Sequence, residues 1–120
     1  MTGILVVAAG GLGAGLRFAV AGWVTRRVGS EMPWGTAAVN GTGALFLGMV
    51  VGLGVSGAAL AMAAGVASGF TTYSTWMVES VALWEEGRGG HMPALVNWAG
   101  SFVLGLCLAW AGWLIGTALG

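Results

Sequence analysis

The chain has 120 residues, of which 58% are hydrophobic and 7% are charged, and its mean hydropathy is +0.91. Because a soluble domain carries about 25% charged residues, this composition predicts an integral membrane protein. The formal net charge is zero, and four Arg are the only basic side chains besides a single His, which excludes the basic footprint of a nucleic-acid-binding protein. The lone Cys107 has no partner for a disulfide or a metal-binding pair.

Four apolar stretches, separated by short polar breaks, each supply the roughly 20 residues that a membrane-spanning helix needs. They predict an all-α integral membrane protein in which residues 1–120 form a single four-helix transmembrane domain. The predicted helices lie near residues 4–24, 34–55, 57–84 and 94–119. The opening letters MTGILVVAAGG carry no basic side chain, which is untypical of a secretory signal, so we expect the first segment to be a retained helix.

The first predicted helix contains Gly11 and Gly15, at a spacing that lets helices approach closely in lipid, and then Arg17. A charge at the membrane centre costs about 2.5–3.5 kcal/mol on insertion scales, so such residues usually face a bundle interior or an aqueous path. Two interpretations of Arg17 stay open, a direct electrostatic role towards an anion and a structural anchor that snorkels to the interface.

The second and fourth segments share the pattern V-N-x-x-G-x-x-x-L-G, starting at Val39 and Val96, and each copy follows a Met-Pro pair. The repeat indicates a duplicated helical hairpin, and proline near a helix start predicts where these helices begin. Asn40, Asn97 and Ser101 are the polar side chains of the repeat, and Asn97 and Ser101 are spaced one turn apart on a single face. These side chains can line a polar path or simply bond across helices.

The third segment is too long for one straight span and contains the polar run SGFTTYSTWMVES. Ser68, Gly69 and the Thr residues that follow are poor helix formers, so the sequence predicts a break there. Backbone that leaves helical geometry in a bilayer must be buried in protein or line a cavity, and broken helices use freed carbonyls to coordinate cations. The break is therefore predicted to bind or pass an ion.

A stripe of polar and aromatic side chains follows the predicted break with three- and four-residue spacing, which places its members on one helix face. The stripe consists of Thr72, Thr75, Trp76 and Glu79. No catalytic constellation is visible, because the sole His91 lies in a loop, no Asp exists and Glu79 is the one carboxylate at membrane depth. We therefore expect a protein that is not an enzyme.

The loops TRRVGSE and EEGRGGH fall on the same side of four spans and carry three Arg, whereas the other loop and both termini carry no Lys or Arg. Orientation in membranes follows the excess of Lys and Arg in short loops on the cytoplasmic side. A bias of three charges is modest, so the sequence fixes the orientation only weakly.

Four motifs, in order and spacing, resemble the small fluoride channel family known as Fluc or CrcB. They are GGLGAGLRF at 10–18, PWGTAAVNGTGALFLG at 33–48, SGFTTYSTWMVE at 68–79 and NWAGSFVLG at 97–105. The resemblance covers all four predicted helices. It implies four-helix subunits that pair antiparallel with dual topology, a third helix broken in the membrane, passive conduction of fluoride out of the cell, and a location in the cell membrane.

The resemblance also implies roles for individual residues. Backbone carbonyls of Ser68 and Thr71 from both subunits would hold a structural sodium ion, at a helix break that includes Gly69 and Thr72. The implied fluoride pore is lined by Arg17, Asn40, Tyr73, Thr75, Trp76, Glu79 and Ser101.

Three positions depart from the family pattern. The family usually has Gly at the position of Ser68, and two Phe rings line its pore at the positions of Tyr73 and Trp76. The departures keep a carbonyl ligand and two aromatic edges, but they add a hydroxyl group and an indole N–H to the implied pore.

Two other functions fit parts of the sequence. Small multidrug transporters are also four-helix subunits with opposed orientations, but they export cations by means of a carboxylate in the first helix, where this chain has Arg17. A purely structural subunit packed by its glycines would leave the polar stripe unexplained. The partner of one chain is expected to be an identical copy or a homologous subunit.

Overall fold

The computed structural model describes residues 2–87 and 90–120. In these two ranges the regular structure is entirely helical, which confirms the predicted all-α fold. The helices are α1 (Thr2–Val28), α2 (Trp34–Gly52), α3 (Gly57–Phe70), α4 (Ser74–Glu86) and α5 (Met92–Leu119). Arg88, one of the three loop arginines in the predicted charge bias, lies outside the described residues.

Three of these helices, α1, α2 and α5, are each long and apolar enough to cross a membrane. The predicted third span is divided into α3 and α4, of 14 and 13 residues, each shorter than the roughly 20 residues that one span needs. Residues 71–73 separate them, and Thr71 has the extended backbone angles φ −83° and ψ 164°. A break in the third span is therefore confirmed, at residues 71–73, which are called the break below. Thr72 lies in it as predicted, whereas Gly69 lies in the last turn of α3, where the absence of a Cβ lets α1 approach.

The helix ends differ from their predicted positions by a few residues, for local reasons. Helix α1 continues to Val28 and ends because Gly29 turns to φ +105°, a conformation that favours glycine, while its N–H donates to the Thr25 carbonyl at 2.9 Å. Pro33 directly precedes α2, and Pro93 lies in the first turn of α5. The prolines thus mark the helix starts as predicted.

Helices α2 and α5 pack along each other with their backbones in contact. A side chain at Gly48 would overlap the carbonyl of Ala109, and one at Gly112 would overlap the carbonyl of Leu45. Because glycine has no Cβ, the two helices approach as closely as small-residue motifs allow in lipid. This pair forms one half of the bundle.

Helices α1 and α3 form the second close pair. A Cβ at Gly13 would overlap a backbone carbonyl of α3, and a Cβ at Gly69 would overlap the carbonyl of Gly10. The predicted packing pair Gly11 and Gly15 does not take part, since a Cβ at either position meets no atom within 4 Å. These two glycines lie on an open face of α1.

Helix α5 contains a π-helical turn at Val96–Gly100, close to its N-terminus. Such turns insert a wider loop of backbone into an α-helix and are frequent at functional sites. The two copies of the sequence repeat therefore differ in structure, because the segment around Asn40 is regular α-helix and the segment around Asn97 contains the π-turn. Asn97 lies within this turn, and Ser101 directly follows it.

The buried apolar core of one chain is small, and the buried hydrophobic residues of the described ranges are Val39, Val50, Ala67 and Ala94. Many large apolar side chains are exposed instead, on all the long helices. A soluble protein would not tolerate such a surface. The exposed faces are suited to lipid and to other helices.

Candidate functional site

Asn40 of α2 holds the break through both ends of its side-chain amide. Its Nδ2 donates to the Thr72 carbonyl at 2.9 Å, and its Oδ1 accepts from the Thr72 backbone N–H at 2.8 Å. Thr72 is buried, so its backbone groups require partners. The amide therefore supplies the two bonds that a neighbouring strand would give.

The break releases the carbonyls of Ser68 and Thr71. In a continuous helix each carbonyl accepts the N–H four residues later, but the N–H of Thr72 donates to Asn40 instead. The N–H of Thr75, which would serve Thr71, donates to the Thr72 hydroxyl at 3.3 Å. The two carbonyls that the resemblance implied as sodium ligands are thus the ones whose helical donors are diverted.

Arg17 of α1 bonds one of these two carbonyls, that of Thr71. Its Nη1 donates to the Thr71 carbonyl at 3.2 Å. This places a guanidinium at the C-terminal end of α3, where the helix dipole favours a positive charge. Neither of the two interpretations left open by the sequence included this contact with the broken backbone, and both remain open.

A groove of about 450 Å³ lies between α1, α2 and α4 on one side of the break. We call it the arginine groove, and its polar lining consists of Arg17, Thr25, Arg26, Thr36, Thr72, Thr75 and Glu79. The Thr36 hydroxyl donates to Glu79 Oε1 at 2.7 Å, and Glu79 Oε2 is buried without a hydrogen bond to any described residue. Glu79 also lines a cavity of about 660 Å³ at the loop end of the bundle, together with Glu31 and Glu86.

A second groove, of about 490 Å³, lies between α2, α4 and α5. We call it the tryptophan groove, and its polar or aromatic lining consists of Asn40, Trp76, Ser101, Phe102 and Trp113. The rest of its wall is apolar. Six of the seven predicted pore residues are thus divided between the two grooves, whereas Tyr73 lines neither. Asn40 of the tryptophan groove bonds the backbone of Thr72, which lines the arginine groove.

Trp76 is tied to α5 by hydrogen bonds that the sequence did not reveal. Its indole Nε1 donates to the Asn97 carbonyl at 2.9 Å. Asn97 Nδ2 donates to the Ser80 hydroxyl at 2.8 Å, and that hydroxyl donates to the Trp76 carbonyl at 2.8 Å. The buried Asn97 bonds α4, and of Asn97 and Ser101 only Ser101 lines the tryptophan groove.

Tyr73 stands at the start of α4, and its side chain is 71% exposed. Its ring meets Trp76 edge to face, with ring centroids 5.7 Å apart and planes at 79°. An edge-to-face pair presents electropositive ring hydrogens at its rim. The two aromatic positions that depart from the family pattern are therefore in mutual contact.

The site offers hydroxyl, amide and guanidinium donors, and no constellation for covalent or acid–base catalysis is assembled in it. Across residues 2–87 and 90–120 no group of three His, Cys, Asp or Glu side chains is placed to hold a metal ion. The break provides the backbone carbonyls of Ser68 and Thr71, whose helical donors are diverted. The fold and the site define a multi-pass helical membrane protein with a broken helix between a polar groove and a largely apolar one.

A family model described as "CrcB-like protein, Camphor Resistance (CrcB)" matches residues 4–113. The chain is 39% identical to the Fluoride-specific ion channel FluC of Thermus thermophilus, over 97% of this chain and 94% of that protein. It is 42% identical to FluC 1 of Rubrobacter xylanophilus, over 90% and 87% of the two chains, and 41% identical to FluC 1 of Symbiobacterium thermophilum, over 97% and 98%. The chain belongs to the CrcB family, a family of ion channels rather than enzymes, as the motifs predicted.

Proposed function

We propose that this protein is a passive, fluoride-selective channel of the cell membrane that lets cytoplasmic fluoride leave the cell. The observation that carries the proposal is the match along nearly the whole chain to proteins named as fluoride-specific ion channels. The grooves beside the break add support, because the arginine groove is lined by polar side chains and the largely apolar tryptophan groove contains Asn40 and Ser101.

Fluoride is small and strongly hydrated, so a pore must replace its water with hydrogen-bond donors. Asn40 has two amide hydrogens and uses one on Thr72, which leaves the other for an anion in the tryptophan groove. The Ser101 hydroxyl lines the same groove, and the Thr75 hydroxyl and Arg17 line the arginine groove. These donors support an anion path better than a path for cationic drugs.

Passive conduction suffices for export. In an acidic medium fluoride is protonated to neutral HF, which crosses the membrane. HF ionises in the more neutral cytoplasm, where the anion is trapped. An inside-negative potential favours the exit of an anion by about 2.3 kcal/mol per 100 mV. No coupling ion or chemical step is needed.

A structural sodium ion at the break is part of the proposal. The diverted N–H groups of Thr72 and Thr75 support it, because the Ser68 and Thr71 carbonyls are left without their helical donors. A carbonyl oxygen has two lone pairs, so the bond from Arg17 leaves one on Thr71 for a cation. The ion would balance the partial negative charge of these carbonyl oxygens at the C-terminal end of α3.

A second copy in the opposite orientation completes the proposed channel. Ser68, Tyr73 and Thr75 are exposed in one chain although they lie in or beside the break. Irregular backbone at membrane depth must be buried in protein or line a cavity. An antiparallel partner, identical or homologous, would cover these groups and supply two further carbonyls to the sodium ion.

Fluoride efflux from liposomes tests the proposed function. The purified protein should release fluoride, and not chloride, once a potassium ionophore clamps the voltage. Asn40→Ala should slow this efflux, while Thr42→Ala should not, because the exposed Thr42 hydroxyl bonds only carbonyls of its own helix.

Equal efflux of both halides would contradict fluoride selectivity. Proton-driven transport of an organic cation, with no fluoride efflux, would favour the small multidrug transporter instead. Full activity of Asn40→Ala would remove that residue from the proposed pore.

A further inference from the structure

Helices α4 and α5 are joined by a closed ring of hydrogen bonds between Trp76, Ser80 and Asn97. The indole N–H of Trp76 bonds the Asn97 carbonyl, the Asn97 amide bonds the Ser80 hydroxyl, and that hydroxyl bonds the Trp76 carbonyl, at 2.9, 2.8 and 2.8 Å. Ser80 and Asn97 are 6% and 4% exposed. Satisfied polar networks of this kind rigidify their surroundings, because any member left unpaired in a low dielectric is costly.

The π-turn of α5 provides the acceptor for the indole. The Asn97 carbonyl lies within Val96–Gly100 and accepts the backbone N–H of Ser101 as well as the indole N–H. A carbonyl oxygen has two lone pairs and can serve both donors. This carbonyl thus receives a side chain from α4 in addition to its helical bond.

The ring of Trp76 is consequently fixed at two points, its own backbone on α4 and its N–H on α5. The ring lines the tryptophan groove beside Asn40 and Ser101, whereas Asn97 is not part of that groove. Because the N–H is occupied by the Asn97 carbonyl, the indole presents only C–H and ring surface to the groove, as a Phe ring would. A Phe ring at this position could not make the bond to α5.

We infer that Ser80 and Asn97 are positioning residues that hold the Trp76 ring against the tryptophan groove and thereby set the selectivity for fluoride over the larger chloride. The inference rests on the proposed channel function. Neither residue lines the groove, so each acts through Trp76. A ring released from α5 can rotate, and the groove then admits an anion that the fixed ring excludes.

The test is a double-mutant cycle read out as the ratio of fluoride to chloride flux in liposomes. This ratio does not depend on how much of each variant is correctly folded. Ser80→Ala and Trp76→Phe should each lower the ratio by about three- to tenfold, the effect expected for the loss of one intramolecular hydrogen bond. The double variant should be no worse than Trp76→Phe alone, because Ser80 no longer has an indole to position.

Two further variants separate positioning from general stability. Ser80→Thr keeps the hydroxyl and should retain the wild-type ratio, and Ser74→Ala, which removes an exposed hydroxyl from the same helix, should leave it unchanged. An undiminished ratio in Ser80→Ala, or an equal further fall when Ser80→Ala is added to Trp76→Phe, overturns the inference. If Ser80→Ala does not fold, an unchanged ratio in Trp76→Phe overturns it alone. A wild-type protein that passes no fluoride contradicts the proposed function itself.

Discussion

The guanidinium of Arg17 donates a hydrogen bond to the Thr71 carbonyl, which is also a proposed sodium ligand. Its bond to Thr71 replaces part of the hydrogen bonding that the break removes from α3. A guanidinium on this carbonyl repels a second cation there, since two unit charges about 4 Å apart interact by about 4 kcal/mol near a protein surface. Arg17 and sodium are therefore expected to compete while both stabilise the break.

Arg17→Gln should consequently bind sodium more tightly. We expect the sodium concentration that gives half-maximal thermal stabilisation to fall by at least about tenfold, because the repulsion is removed. Thermal unfolding of the purified protein, measured across a sodium titration with a large organic cation as replacement, gives this concentration. Arg27→Gln is the matched control, because Arg27 stacks on Trp23 of the same helix and not on the break. An unchanged sodium dependence in Arg17→Gln would show that the two cations do not share the carbonyl.

At the scale of single residues, sequence reasoning located polar side chains in the bundle more readily than it located their hydrogen-bond partners. Arg17 and Asn40 could be singled out because polar groups at membrane depth are rare. Their partners could not, because both bind backbone atoms of the break, and backbone carries no residue-specific signal. Ser80 was missed for a similar reason, since a serine on an amphipathic helix attracts attention only once Asn97 is placed opposite it.

Glycines determine how the helices meet. At Gly48 the added Cβ of alanine would overlap the Ala109 carbonyl, which belongs to a backbone that cannot rotate away. Gly48→Ala should therefore force α2 and α5 apart and lower the free energy of unfolding by about 1–3 kcal/mol, the usual cost of overpacking. A detergent unfolding titration measures this change. Gly3→Ala in α1 should be neutral or slightly stabilising, because a Cβ at Gly3 meets no atom within 4 Å; equal losses in both variants would contradict the packing argument.

The break and the π-turn show why one irregular element was predictable and the other was not. The break was predicted because the third segment was too long for one span and contained Gly69 among poor helix formers. The π-turn at Val96–Gly100 has no such marker, since its residues are compatible with regular helix. The Asn97 carbonyl and side chain are both bonded to α4, and such contacts between elements carry no local sequence signal.

At the scale of the whole molecule, one chain leaves polar groups and small-residue faces exposed. Gly11 and Gly15 lie on an open face, and the break exposes Tyr73 and Thr75. Arg26 and Arg27 give one side of the membrane only a small excess of basic residues, so the charge distribution is compatible with insertion in both orientations. These features favour the proposed antiparallel dimer, in which the same surface patch of each copy faces the other.

Impermeant thiol labelling in intact cells tests dual topology. A cysteine replaces Ser30, an exposed residue between α1 and α2, in a Cys107→Ala background, and a second variant carries it at Ser56 on the opposite side of the membrane. Ser30 is preferable to Gly29, whose φ of +105° would strain any other residue. With dual topology the reagent should label about half of the molecules from outside at either position, because the weak charge bias permits both insertions. Labelling of Ser30→Cys alone, or of Ser56→Cys alone, would rule out the dual-topology homodimer and leave a homologous subunit of fixed opposite orientation as the partner.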